Sequence, residues 1–227
     1  MRRRAPVALY LLAALTVAAC HGPAASRQAP AAMPALAPQA LFRPEALGLL
    51  EDPDRDEWQQ PDTVMDELHI ADGSRVADVG AGGGWFTARL ARRVGPNGAV
   101  YAEDVQKQMV EAIEQRARQD GLGNVHAILS PSRDPMLPQN LDAVLIVDAY
   151  GQLAYPIDVL GHIAAALAPH GRLGVVDFKP NGAGGPGPPA AFRTDPDRVV
   201  ADAARAGLAV RSRDTALRYQ YLVIFGR

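Results

Sequence analysis

The chain has a single cysteine, Cys20, in 227 residues, so no internal disulfide can form. Lysine is nearly as scarce. Of 23 basic residues only Lys107 and Lys179 are lysines, and the formal net charge is −2. Outside Arg2, Arg3 and Arg4 there is no dense basic patch, so nothing suggests nucleic-acid binding through a charged face. His69, His126, His162 and His170 are scattered without ligand spacing, and no metal is expected. The one long apolar run, residues 5–19, is too short to span a bilayer comfortably as a mature anchor. No internal repeat and no catalytic triad is visible. What remains is 48% hydrophobic and 21% charged, ample for the core of one globular domain with an appendage.

The stretch from Arg75 to Arg92 organises the rest. Val76, Ala77, Asp78 and Val79 form a short apolar run with one acid, which reads as a buried strand. Residues 80–84 supply four glycines in five positions, with Ala81 the exception, and Trp85, Phe86, Leu90, Ala91 and Val94 then recur at helical spacing. Strand, glycine turn and helix together let a backbone approach a ligand closely and aim the free N–H groups of a helix start at it.

Around this unit the chain reads as an α/β fold. Pro61 opens a helix, followed by the strand–turn–helix unit and a second strand ending in Glu103 and Asp104. Lys107 to Asp120 reads as a helix, Val125 to Leu129 as a third strand and Ser130 to Asn140 as loop. Asp142 to Val147 is a fourth strand, apolar enough to be buried on both faces. A helix follows from Tyr155 to Leu167, ended by the turn Ala168-Pro169-His170-Gly171, and then a fifth strand from Arg172 to Phe178. Residues 180–189 are too rich in Gly and Pro for regular structure and read equally as a floppy loop or as a lid. Asp195 caps a helix that Gly207 ends, and two strands, Leu208 to Arg213 and Tyr219 to Phe225, close the chain without a helix between them. Strands alternating with helices predict a Rossmann-like, doubly wound, seven-stranded, mostly parallel sheet. The final pair lacks a crossover, so one of its strands should run antiparallel.

Two features fall where such sheets bind ligands: the glycine turn after the first strand and the acid after the second. Asp78 and Asp104 are 26 residues apart, the length of one strand–helix–strand unit, and a carboxylate at Asp104 can accept two hydrogen bonds from a ribose diol. A dinucleotide fingerprint would place Trp85 in its third glycine position, where an indole cannot permit close helix–strand packing. The run instead reads acid-x-Gly-x-Gly-x-Gly over Asp78, Gly80, Gly82 and Gly84. This resembles the first motif of class I S-adenosylmethionine-dependent methyltransferases, and the terminal strand pair is similar to the hairpin that ends their sheet.

The resemblance covers roughly Trp58 to Arg227 and is strongest to small methyltransferase-domain proteins of bacterial envelopes. It rests on Trp58-Gln59-Gln60-Pro61, Gly187-Pro188-Pro189 with Arg193, and Tyr219-Gln220-Tyr221. It implies S-adenosylmethionine as cofactor, with Asp78, Gly80, Ala81, Gly82 and Gly84 at its methionine end. Asp104 would bind the ribose, with Glu103 the second choice, and Ser130 and Asp134 would face adenine. Asp148 and Tyr150 would sit beside the sulfonium and the substrate as catalytic residues. The chain departs from those relatives at Gly151 and Gln152, where they carry histidine after a tyrosine, and at Phe192, where they carry histidine before an arginine.

The N-terminus resembles a bacterial lipoprotein signal. Arg2 to Arg4 precede the apolar run, which ends in Val17-Ala18-Ala19-Cys20, an aliphatic and two small residues before a cysteine. The resemblance implies a signal peptide over residues 1–19, lipid on Cys20 and a domain held at the bacterial cell envelope, facing the periplasm. Removing that peptide takes away three arginines and no acids, so lipid rather than charge would anchor the protein. Residues 20–41, rich in Ala and Pro, read as a tether, and residues 42–227 as the methyltransferase domain.

The function so implied is methyl transfer from S-adenosylmethionine to a small-molecule or lipid-like acceptor. The competing reading is a non-catalytic envelope lipoprotein that binds the same ligand on the same fold, motivated by the compartment. A nucleotide-dependent oxidoreductase is opposed by Trp85 and by the terminal strand pair.

Overall fold

The computed structural model describes residues 39–182, 184–214 and 216–227. The expected signal peptide, Cys20 and most of the expected tether lie outside them. Seven strands form one sheet in the order β3-β2-β1-β4-β5-β7-β6. They are β1 (Arg75–Val79), β2 (Ala99–Asp104), β3 (Val125–Leu129), β4 (Leu141–Val147), β5 (Leu167–Phe178), β6 (Ala209–Asp214) and β7 (Gln220–Gly226). The strands β1 to β5 pair in parallel, and β7 enters antiparallel between β5 and β6. The doubly wound sheet and its antiparallel terminal pair therefore stand as expected.

Helices cover both faces: α1 (Arg55–Gln59), α2 (Pro61–Glu67), α3 (Trp85–Val94), α4 (Lys107–Gln119), α5 (Pro156–Ala166) and α6 (Pro196–Arg205). Alternate residues of a strand point to opposite faces, and this splits the core in two. Ala77, Val144 and Ile146 pack with Leu160 and Ile163 of α5 and Val199 and Ala203 of α6. Val76, Ala143 and Leu145 pack on the other face with Val64 of α2 and Phe86 and Leu90 of α3. Asp195 caps α6 by accepting the Asp197 N–H at 2.8 Å, with Pro196 in the first helical position.

Two boundaries differ from the sequence reading. The expected turn Ala168–Gly171 is part of β5: Leu141 pairs with Leu167 and Ala143 with Arg172, so the Pro-His-Gly signal appears as a bulge within the strand. The expected tether also ends earlier than residue 41, because Gln39 already joins the domain through its N–H, which donates to the Gly151 carbonyl at 2.9 Å. Residues 44–50 then form a 3-10 helix with no buried residue, lying over the glycine turn, where the Leu50 side chain approaches Gly82 and that of Leu47 approaches Gly83.

Candidate functional site

In the sheet order, the chain winds outward in opposite directions from β1 and β4, so a crevice opens at the carboxyl ends of those strands. The glycine turn lines it. Gly80, Gly82 and Gly84 hold φ of 70°, 55° and 75°, the left-handed region that side chains rarely adopt. At Gly80 a Cβ would also stand 2.7 Å from that of Ala149, so the turn lies flat against the tip of β4 and leaves its other side open. A cavity of about 290 Å³ occupies that space.

Three buried carboxylates border this cavity. Asp78 accepts the Thr87 hydroxyl at 2.6 Å. Glu103 accepts the Gly80 N–H at 3.2 Å and the Ser130 hydroxyl. Asp104 accepts the Gly82 N–H at 3.0 Å and the Gln106 N–H at 2.9 Å. The tip of β2 thus holds the turn after β1 by its backbone. Burial pushes Asp78 up to about 6 and Glu103 up to about 7, against the lowering effect of their hydrogen bonds, and it raises Asp104 as well.

A second cavity, of about 520 Å³, adjoins the first, and Phe42, Leu50, Arg55, Asp148 and Gln152 border both. At this boundary Asp148 has φ of 56°, an uncommon conformation for a residue other than glycine. Arg55 is 8% exposed, and its Nη2 lies 3.5 Å from Asp148. Its Nε donates to Gln59 at 2.9 Å, and Gln59 donates to Gln220 at 2.8 Å. Gln220 in turn donates to Asp148. Trp85 lies between two guanidinium groups, with Arg55 4.1 Å and Arg89 3.4 Å from its ring centre. Burial pushes Asp148 up to about 6, while Arg55 and the glutamines act the other way.

Residues 70–203, more than half of the chain, match the family described as "Methyltransferase domain". The chain belongs to that methyltransferase family. It is 31% identical over 131 residues to nocamycin O-methyltransferase of Saccharothrix syringae, covering 57% of this chain and 44% of that protein. It is 30% identical over 115 residues to the ubiquinone/menaquinone biosynthesis C-methyltransferase UbiE of Ectopseudomonas mendocina (strain ymp), covering 50% of this chain and 45% of that protein. The chain thus spans less than half the length of these curated relatives. Among solved structures it resembles a SAM-dependent methyltransferase from Aquifex aeolicus, with a TM-score of 0.76 and 29% identity, over 81% of this chain and 98% of that one.

Of the residues singled out in the sequence, Asp78, Gly80, Ala81, Gly82, Glu103, Asp104, Ser130 and Asp148 all line the first cavity of this methyltransferase domain. Three do not. Gly84 starts α3, and a Cβ there would meet Ile113 at 3.3 Å, so it serves the packing of α3 on α4. Asp134 turns away from the cavity, accepting the Met136 N–H at 2.8 Å, with His162 at 3.6 Å. Tyr150 is buried in the core beside α6, and its hydroxyl donates to Asp202 at 3.1 Å. Burial and the Asp202 carboxylate raise its pKa, which suits a structural phenol rather than a base.

The positions where the chain departs from its expected relatives have one shared role. Gly151 accepts the Gln39 N–H, and a Cβ at Gly151 would collide with the Gln39 side chain. Gln152 accepts the Phe42 N–H at 2.8 Å, and the Phe192 carbonyl accepts the Gln39 side-chain amide. Gln106 completes the attachment by donating to the Phe42 carbonyl at 3.0 Å. These positions dock the N-terminal segment over the site.

Arg55, Gln59 and Asp177 were not found as site residues in the sequence. Asp177 carried a usable signal, an acid at the tip of an apolar strand like Asp104, and Gln59 lay in the Trp58–Pro61 run that carries the resemblance, while Arg55 carried only its i, i+4 spacing to Gln59.

The raised carboxylates have a pH signature. A buried carboxyl whose folded pKa exceeds its unfolded value stabilises the fold at low pH, and that contribution is lost as pH rises through the folded pKa. For Glu103 the window runs from 4.5, its ordinary value, to about 7. Glu103→Gln should therefore remove a decline of roughly 1–3 kcal/mol across that window. Urea midpoints of wild type and variant at about pH 5 and about pH 8 check this; equal pH dependence in both would contradict it.

Proposed function

We propose that the protein transfers a methyl group from S-adenosylmethionine to an acceptor held in the second cavity. The observation that carries this reading is the flat glycine turn facing Asp78, Glu103 and Asp104 across one crevice. The site suits that cofactor on its own chemistry. Carboxylates accept hydrogen bonds from ribose hydroxyls and from an α-ammonium group, and the turn leaves room for the methionine end. When bound, the cofactor supplies an electrophilic methyl on a positively charged sulfur.

The chain's own residues bind, orient and exclude water. Glu103 and Asp104 would hold the ribose, Asp78 and residues 80–82 the methionine end, and Ser130 the adenine side. Phe42 and Leu50 roof the cavity, and the Arg55–Asp148 pair marks the boundary that the methyl crosses. Alignment in a dry site supplies most of what methyl transfer requires.

We further propose that Cys20 carries lipid and that the domain faces the periplasm from a membrane, acting on a small-molecule or lipid-like acceptor. Support for this comes from Arg2–Arg4, the apolar run and Val17–Cys20.

Isothermal calorimetry tests the cofactor reading. Wild type should bind S-adenosylmethionine and its demethylated product S-adenosylhomocysteine, and Gly80→Val should abolish binding by crowding Ala149 and straining the turn. Absence of binding to wild type would overturn it. Mass spectrometry of protein taken from cell envelopes should show an acylated Cys20 at the N-terminus; an intact, unacylated chain would overturn the anchor.

A further inference from the structure

The second cavity has a charge imbalance that cofactor binding does not use. Phe42, Trp58, Phe178 and Phe192 contribute aromatic side chains to its lining, and Trp58 and Phe178 lie 5.8 Å apart at 41°. Its acids include the half-buried Asp148 and the buried Asp177, at the tips of the neighbouring strands β4 and β5, where the Asp148 N–H donates to the Val176 carbonyl at 2.9 Å.

The two acids are not equivalent. Asp148 has a cation, Arg55, at 3.5 Å. Asp177 is 6% exposed, and among the described residues no ion pair reaches it. It accepts the Phe178 N–H at 2.7 Å and a hydrogen bond from the Thr194 side chain. Arg193 lies 5.6 Å from the Phe178 ring centre, but its N–H groups donate to the carbonyls of Pro188 at 2.9 Å, Lys179 at 3.1 Å and Gly182 at 2.8 Å. Arg193 is therefore committed to holding the Gly/Pro-rich segment, whose Pro186, Gly187 and Pro188 wall the cavity. The Arg193 charge acts on Asp177 only through space and lowers its pKa, and a buried carboxylate without a cation in contact is unfavourable unless a cation or a proton joins it. Aromatic faces beside such a carboxylate are the surroundings that recognise an ammonium group, and they repel an anion.

We propose that the acceptor is a protonated amine on an apolar body, seated in the aromatic cavity with its ammonium group on Asp177. This rests on the methyl-transfer reading above. An N–H bond of the ammonium breaks and its proton passes to the Asp177 carboxylate, leaving the electron pair on nitrogen. That pair forms a bond to the methyl carbon as the carbon–sulfur bond breaks. The electrons of the broken bond stay on sulfur, which leaves as a neutral thioether, and the product is a methylated ammonium. Burial and the neighbouring Asp148 push Asp177 up to about 7, which suits a carboxylate that must take and release a proton.

Three probes of matched size test the charge preference: benzylamine, benzyl alcohol and benzoate, each titrated into full-length protein saturated with S-adenosylhomocysteine. Benzylamine should bind about tenfold tighter than benzyl alcohol, with no binding of benzoate. Asp177→Asn should abolish the amine's advantage while leaving the affinity for S-adenosylhomocysteine unchanged. Equal or tighter binding of the alcohol or benzoate, failure of all three to bind, or an unchanged preference in Asp177→Asn would overturn the proposal. If Asp177→Asn does not fold, the ranking in wild type decides. Failure of wild type to bind S-adenosylhomocysteine would instead strike the methyl-transfer reading, and this proposal with it.

Discussion

The backbone N–H groups of Gly80 and Gly82 donate to the carboxylates of Glu103 and Asp104, at 3.2 Å and 3.0 Å. Through these two bonds the side chains at the tip of β2 set the path of the turn after β1. The acids reach the turn because β1 and β2 pair in parallel with Val79 beside Glu103. They are buried there because the turn, Ser130 and the N-terminal segment close around them. Satisfied buried carboxylates fix geometry, and they remain able to accept further bonds from a ligand. The raised pKa values of Glu103 and Asp104 are the energetic trace of their burial, which outweighs the lowering effect of those hydrogen bonds.

The rest of the site is assembled from opposite ends of the chain. Arg55 and Gln59 come from α1, Gln220 from β7 and Asp148 from the tip of β4. Gln220 is 0% exposed, and it reaches Asp148 because β7 is inserted beside β5. The antiparallel terminal strand therefore has a part in the site as well as in closing the sheet. The residues before Ile70, outside the matched family region, supply Arg55 and the roof formed by Phe42 and Leu50.

Much of this was legible in the sequence because the signals were local. The Asp78–Gly84 run, the acid at Asp104 and the alternation of strands and helices each depend on a few neighbouring residues. Tyr150 was misplaced because its direction is set by a 3-10 turn and by Asp202, some fifty residues away. The docking of Gln39 was hidden because Ala/Pro composition describes a segment's own stiffness and not the surface it meets. Arg55 was hidden for a related reason: its partners Asp148 and Trp85 are brought to it only by the fold.

A crystal structure of the protein with S-adenosylhomocysteine tests the account most directly. It predicts the ribose hydroxyls on Glu103 and Asp104, the amino-acid end against Asp78 and the glycine turn, and the sulfur facing Asp148 at the boundary between the two cavities. A ligand bound elsewhere, or one whose ribose meets neither carboxylate, would contradict it.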